Sequence, residues 1–179
     1  DGQHCLALDT IEPSELSQAI AAGATVIDVR TAEEREDGRI VGSLHLPYEL
    51  WLRDDGLHES VEAALAVASE AIVFHCMYSR ERGPAIARIA SAARPALRVA
   101  LLRGGFQRLM AETWSDEAPP ALLEGVRSER WVFHGRQGLV WGPDADPLRY
   151  LPATIPPPTP TTPRRAEELD NEEDEGLVE

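Results

Sequence analysis

The sequence has no lysine; all 17 of its basic residues are arginine. That bias reads as compositional, yet it leaves every cationic contact to a guanidinium, the better bidentate ligand for an oxyanion. Cysteine is nearly absent as well. Cys5 and Cys76 stand alone, which excludes a disulfide framework and points to a reducing compartment, cytoplasm or nucleus. Neither has a cysteine neighbour, so four-ligand zinc spacing is missing and no metal is expected. No apolar run approaches the ~20 residues that span a bilayer, which excludes a membrane helix. The chain opens on Asp1 without a signal-peptide pattern, and a cleaved targeting segment would leave no trace in it. Basic excess is missing too. The net charge is −14, which argues against general nucleic-acid binding. Eight acidic residues and no basic one fall in 166–179, so most of the excess belongs to that last stretch.

What is present is a hydrophobic share of 43% in 179 residues, enough for one sizeable core. Short apolar runs of strand length, "TVIDVR", "AIVFH" and "LRVALL", alternate with segments of helical spacing. The helical segments are "EPSELSQAIAAGA", "HESVEAALAVASE", "GPAIARIASAA" and "GGFQRLMAE". That alternation predicts an α/β fold, a mostly parallel sheet with helices on both faces. Residues 6–113 form the expected catalytic domain. An extension, 114–151, packs on it, and "RWVFHGRQGLVW" in that extension suits a hairpin turning near Gly135 to Gly138. Trp131, Phe133 and Trp141 are expected to cover an edge of the core, and His134 among them to be structural. The remainder, 152–179, is Pro-rich and then acidic, so extended and unable to fold alone.

The chemistry concentrates in "HCMYSRERGP", which follows the "AIVF" run. Gly83 suits a helix cap and Pro84 the first helical position, where its missing N–H is no loss. The chain from Met77 to Arg82 must then turn sharply between strand and helix. Successive amides in such a turn form an anion nest at the positive end of the helix. Arg82 adds a bidentate contact to an oxyanion, and the same field favours the thiolate of Cys76. His75 is placed to steady the loop by hydrogen bonding. A lone cysteine at a strand end is ordinarily a small buried hydrophobe. Cys, Arg, Gly and Pro falling together where one strand–loop–helix geometry needs them favours a nucleophile. In that reading Cys76 attacks a tetrahedral oxyanion, and Arg82 with the loop from Met77 through Tyr78, Ser79, Arg80 and Gly83 holds its oxygens. Glu81 is the nearest carboxylate for proton transfer, and Ser79 can hydrogen-bond the thiolate. Asp54 and Asp55 are remoter candidates for an external acid, and Arg35 and Arg39 for the pocket mouth.

The loop resembles that of the M-phase inducer dual-specificity phosphatases, which read His-Cys-x-x-Ser-x-Glu-Arg-Gly-Pro. "VIDVRTAEEREDGRIVGSLHLP" is similar to the opening signature of rhodanese-like domains, and "LLRGGFQRLM" resembles that fold's Gly-Gly-aromatic helix start. The resemblance implies a rhodanese-like fold, with Cys76 as nucleophile, Arg82 as phosphate ligand and Glu81 as acid or base. It implies a structural role for Asp28 and Arg30, with Arg30 paired to Glu33 or Glu34. Where larger members carry a second, protective cysteine this chain has Val29, which brings it nearer the small stand-alone members, eukaryotic arsenate reductases among them. Sulfurtransferases of this fold use a six-residue loop, whereas Cys76 to Arg82 spans seven positions, enough for phosphate or arsenate.

The expected function is therefore a cysteine-based phosphatase acting on phosphomonoesters, a phosphorylated protein foremost, as a monomer without cofactor. An arsenate reductase drawing electrons from glutathione and glutaredoxin is the alternative, with a small oxyanion as substrate. A non-catalytic binding module or a sulfurtransferase stands behind both.

Overall fold

The computed structural model describes residues 8–53, 56–68, 71–133 and 138–142, all within the first of the chain's two units, Asp1–Asp146. Its strands are β1 (Asp9–Ile11), β2 (Thr25–Asp28), β3 (Arg39–Ile40), β4 (Leu44–His45), β5 (Ala71–His75), β6 (Arg98–Leu102), β7 (Leu123–Glu124), β8 (Trp131–Phe133) and β9 (Leu139–Trp141). The helices are α1 (Leu16–Ala21), α2 (Ala32–Glu36), α3 (Glu59–Val67), α4 (Arg82–Ala93) and α5 (Gly105–Thr113). Five strands form a wholly parallel sheet in the order β1-β6-β5-β2-β4. This is the α/β architecture that the alternating runs predict.

Both faces of the sheet are covered, and the period-two alternation of the strands decides which side chain goes where. Ile27, Ile72, Phe74 and Leu101 pack with Val61 and Leu65 of α3 and with Ile86, Ala87 and Ala90 of α4. Val26, Val73 and Leu102 point the other way, onto Leu16 of α1 and Phe106, Leu109 and Met110 of α5. The central strands therefore have no polar face, which is why they read as unbroken apolar runs.

β2 and β5 are neighbours, and the chain leaves them in opposite directions. After β2 it passes to β4 on one side, and after β5 it passes through α4 to β6 on the other. Such a switch point opens a crevice at the carboxyl ends of the two strands. His75 and Asp28 are paired in register there, so Cys76 sits at the mouth.

Beyond α5, β8 and β9 pair antiparallel, Trp131 against Trp141 and Phe133 against Leu139; the turn between them, with His134, lies outside the described residues. Trp131 and Trp141 are buried against the α5 side of the core. Phe133 covers nothing, being 74% exposed. The ribbon's cover does not extend that far along β8. Cys5, Asp54, Asp55 and the Pro-rich and acidic stretches also lie outside the described residues. Among those residues no helix is long and apolar enough to cross a membrane.

Candidate active site

The loop leaves β5 at Cys76 and enters α4 at Arg82, with Glu81 preceding the first helical residue. The helix thus starts before the expected cap. Gly83 is its second residue and Pro84 its third, a position where the missing N–H still falls among the first-turn amides that have no partner in the helix. Gly83 is buried, and a β-carbon there would lie 3.4 Å from Leu101 Cδ2. That is ordinary van der Waals contact, so space alone does not demand glycine at this position.

Inside the loop Ser79 takes a left-handed φ of 49°, the only positive φ of a non-glycine residue among the described residues. That inversion turns successive amides inward, the geometry of an anion nest. The Ser79 amide donates to Cys76 Sγ at 3.2 Å. The amides of Met77, Arg80 and Glu81 donate to no backbone carbonyl among the described residues. Cys76 is itself 3% exposed and carries no disulfide. Met77, expected along the oxyanion, sends its side chain into the core, so only its main chain can serve a ligand. Tyr78 is half-buried, and the exposed Arg80 lies over its ring at 5.8 Å. Glu81 is exposed, and no hydrogen bond or ion pair to a described residue holds its carboxylate.

Two elements hold this loop from behind. The first two amides of α5 after its paired glycines donate into it, Phe106 N–H to the Cys76 carbonyl at 3.0 Å and Gln107 N–H to the Met77 carbonyl at 2.9 Å. Gly105 makes this possible. Its φ is 66°, and a β-carbon would stand 2.5 Å from the Met77 carbonyl oxygen and 2.6 Å from that of Cys76. The second support is α2. Arg82 makes a bidentate pair with Glu34, Nη1 to Oε2 and Nη2 to Oε1, both at 2.6 Å. Glu34 Oε2 also accepts the Thr31 amide at 2.8 Å, while Thr31 Oγ1 accepts the Glu34 amide. Glu34 is therefore buried and fixed at both ends. Burial alone would raise its pKa, but Arg82 and the Thr31 amide outweigh that and hold it below the usual carboxylate value. The pair with Glu34, more than any other group, holds Arg82 cationic, and Cys76 adds a smaller contribution, which puts sulfur and guanidinium within electrostatic reach.

The pairing expected for Arg30 is corrected here. Arg30 turns back onto Asp28, Nε to Oδ1 at 2.9 Å and Nη2 to Oδ2 at 2.8 Å. It reaches Glu34 only at the main-chain carbonyl, together with that of Gly38. Glu33 lies near Arg130 instead, at 3.7 Å. Arg35 joins Arg30 on Asp28 at 3.0 Å and bonds Ser43, and Arg39 pairs with Glu124 between β3 and β7. Both guanidinium groups are committed to these partners.

His75 meets the loop only weakly, at the main chain of Cys76. It is wholly buried, stacked on Phe106 at 5.9 Å, and neither ring nitrogen has a well-formed hydrogen bond. Its polar neighbours are Asp28 Oδ2 at 3.8 Å and, more weakly, the main chain of Cys76. Burial, only partly offset by Asp28, pushes its pKa down to about 4, so it is neutral at physiological pH. Burial alone would raise the Asp28 pKa, but His75 when charged and Arg30 at all times hold it well below the carboxylate range.

Two parts of the site are missing from the expectations, Glu34 as the partner of Arg82 and the grip of α5 on the loop. The first had a readable signal, since Thr31-x-x-Glu34 is a capping-box pattern, although its second partner lies 48 positions away. Among the described residues no group of three or more His, Cys, Asp or Glu is placed to hold a metal ion.

A family model, Rhodanese-like domain, matches residues 12–112. A dual specificity phosphatase Cdc25 of Arabidopsis thaliana is 41% identical over 63 residues, 35% of this chain and only 40% of that protein. Among solved structures, Saccharomyces cerevisiae Ygr203w is similar at 26% identity and a TM-score of 0.57, over 70% of this chain and 92% of that one. It is described as a homologue of single-domain rhodanese and of the Cdc25 phosphatase catalytic domain. An As-Sb reductase of Leishmania major is similar at 26% identity and a TM-score of 0.50, over 77% of this chain and 95% of that one.

Proposed function

The chain belongs to the rhodanese-like domain family, and from that premise we propose that it is a cysteine-dependent phosphatase hydrolysing phosphomonoesters, with phosphoprotein as the main substrate class. The observation that carries this reading is the seven-position loop from Cys76 to Arg82. It opens at the carboxyl end of β5 with the amides of Met77, Arg80 and Glu81 bonded to no backbone carbonyl among the described residues and with its arginine oriented by Glu34. A nest of that size and charge suits a tetrahedral oxyanion.

In the proposed mechanism the Cys76 thiolate attacks phosphorus from the loop floor. The loop amides and the positive end of α4 hold the equatorial oxygens, and Arg82 supplies its remaining donors without leaving Glu34. Glu81, exposed at the rim, hands a proton to the leaving oxygen. As a carboxylate it then takes one from the water that opens the thiophosphate. Ser79, Tyr78 and Arg80 complete the cradle, Met77 through its main chain alone.

A second reading, arsenate reduction, is favoured by the likeness to the As-Sb reductase structure and by Val29, buried where larger relatives carry a protective thiol. Glutathione and glutaredoxin would supply the electrons. One pair of assays separates the two. Aryl-phosphate hydrolysis that disappears in Cys76→Ser is the expected outcome. Glutathione-dependent arsenate reduction by a chain that hydrolyses no aryl phosphate would overturn the phosphatase reading.

A further inference from the structure

Asp37 is wholly buried, and the side chains that meet it come from one part of the chain. Its Oδ2 accepts Trp141 Nε1–H at 2.7 Å and Arg130 Nε–H at 3.0 Å. Arg127 Nη2 pairs with Oδ1, and Trp131 Nε1–H donates to the Asp37 main-chain carbonyl at 2.8 Å. All four residues lie in the extension beyond α5, outside the residues 12–112 that the family model matches. Burying a carboxylate is unfavourable unless charge and hydrogen bonds compensate it. The place where that compensation is concentrated is therefore informative.

That place is the end of α2. Asp37 is the C-cap of this helix, whose five residues are too few to hold a helical shape alone. Three positions before Asp37, Glu34 grips Arg82 through both oxygens at 2.6 Å. The Thr31 capping box fixes the start of the helix. At its end Arg30 bonds the carbonyls of Glu34 and Gly38, which bracket Asp37 in the chain. Val126 of the extension closes on the same turn, since a β-carbon on Gly38 would stand 3.0 Å from Val126 Cγ2. Arg30 and the extension together thus set where α2 ends.

We propose that Asp37 is a positioning residue through which the extension sets the aim of Arg82. The inference rests on Arg82 being the oxyanion ligand. With Asp37 clasped, α2 holds Glu34 where its two oxygens meet the two Nη atoms. With the clasp opened, the short helix shifts and Glu34 loses that geometry. Arg82 then spreads over rotamers that do not serve the loop. The extension belongs to the site on this account, acting through α2.

Tungstate binding by the full chain tests this in a double-mutant cycle of Asp37→Asn and Glu34→Ala. Asparagine keeps the shape and one acceptor, and removes the charge that holds Arg127 and Arg130. Asp37→Asn alone should weaken tungstate about fivefold, the low end of coupling between separate sites. In the Glu34→Ala background it should change affinity by less than about twofold, because Arg82 has lost the partner through which Asp37 acts. Melting temperatures should fall in both backgrounds, which separates aim from stability. Glu124→Gln cuts another fastening of the extension, the Arg39 pair, and should leave tungstate affinity unchanged. Trp141→Phe removes one bond to Asp37 and keeps the charge, so it carries the same cycle at smaller size if Asp37→Asn does not fold. A lower melting temperature with parental tungstate affinity overturns the proposal, as does an equal loss in both backgrounds. A loss in Glu124→Gln as large as in Asp37→Asn overturns it too, since any loosening of the extension would then suffice. A parent that binds no tungstate, or binds it as Arg82→Ala does, sinks the Arg82 assignment and the proposal with it. Failure at Asp37 alone leaves that assignment standing.

Discussion

Replacing Gly105 by alanine puts a methyl group where the backbone of the nucleophile loop already is. The new β-carbon would lie 2.5 Å from the Met77 carbonyl oxygen, 2.6 Å from that of Cys76 and 2.7 Å from the Met77 carbonyl carbon. All three are main-chain atoms, so no rotamer change relieves the contact. Ordinary van der Waals separation requires the start of α5 to withdraw by roughly 1 Å. The bonds from Phe106 and Gln107 to the loop carbonyls, now 3.0 and 2.9 Å, would stretch past the useful range. Left-handed backbone at a non-glycine residue costs about 1–2 kcal/mol. Two buried bonds lost add about 1–3 kcal/mol each. The sum, about 3–8 kcal/mol, is a large part of the 5–15 kcal/mol that keeps an ordinary domain folded. Gly42 supplies the control. Its φ is 72° and nothing lies within 4 Å of the position its β-carbon would take, so Gly42→Ala should show the backbone strain alone. Urea denaturation followed by tryptophan fluorescence compares the two. Equal losses in both variants would refute the claim that Gly105 is required by contact with the loop, and so would unchanged tungstate binding in Gly105→Ala.

The remaining predictions concern the buried charges. The folded pKa of His75, about 4, lies below its unfolded value of 6.5, so as pH falls from 6.5 to 4 the unfolded chain takes up a proton that the folded one refuses. Stability should fall by about 3 kcal/mol across that window, at about 1.4 kcal/mol per pH unit, with Asp28 adding a further loss below about pH 4 as its unfolded carboxylate protonates first; urea midpoints that stay level between pH 6.5 and 4.5 would contradict it. Glu34→Ala should weaken tungstate inhibition about tenfold, the size of one charge-assisted bond at a part-exposed arginine, and should lower the melting temperature because the Thr31 amide loses its side-chain acceptor, the reciprocal half of the cap. Glu34→Gln retains the cap and should keep more of both, and tungstate affinity unchanged in Glu34→Ala would rule out a positioning role for Glu34.

What was legible in the sequence was local. The parallel α/β plan follows from apolar runs alternating with helical spacing, and the loop follows from Cys76, Arg82, Gly83 and Pro84 standing within nine consecutive positions. β3, β4 and β7 escaped because two residues carry no period. Even in the loop, the helix start is displaced. Proline was placed at the first helical position by preference, and the chain tolerates it at the third because that amide also lacks a partner in the helix.

Charge partners failed for a different reason. Glu33 and Glu34 lie three and four positions after Arg30, the spacing at which side chains meet on a helix. Arg30 belongs instead to the end of β2, where its side chain folds back onto Asp28, stands 3.9 Å over the Phe106 ring and caps the carbonyls that close α2. That arrangement leaves the Glu34 carboxylate unclaimed by its neighbour and free to face across the crevice to Arg82. The same ring of Phe106 stacks on His75, and its amide holds the Cys76 carbonyl. One aromatic residue thus joins the buried Asp28–Arg30 pair to the nucleophile loop. The Asp-x-Arg stretch and the Gly-Gly-Phe stretch, 76 positions apart in the chain between Asp28 and Gly104, thus support the same loop from different sides.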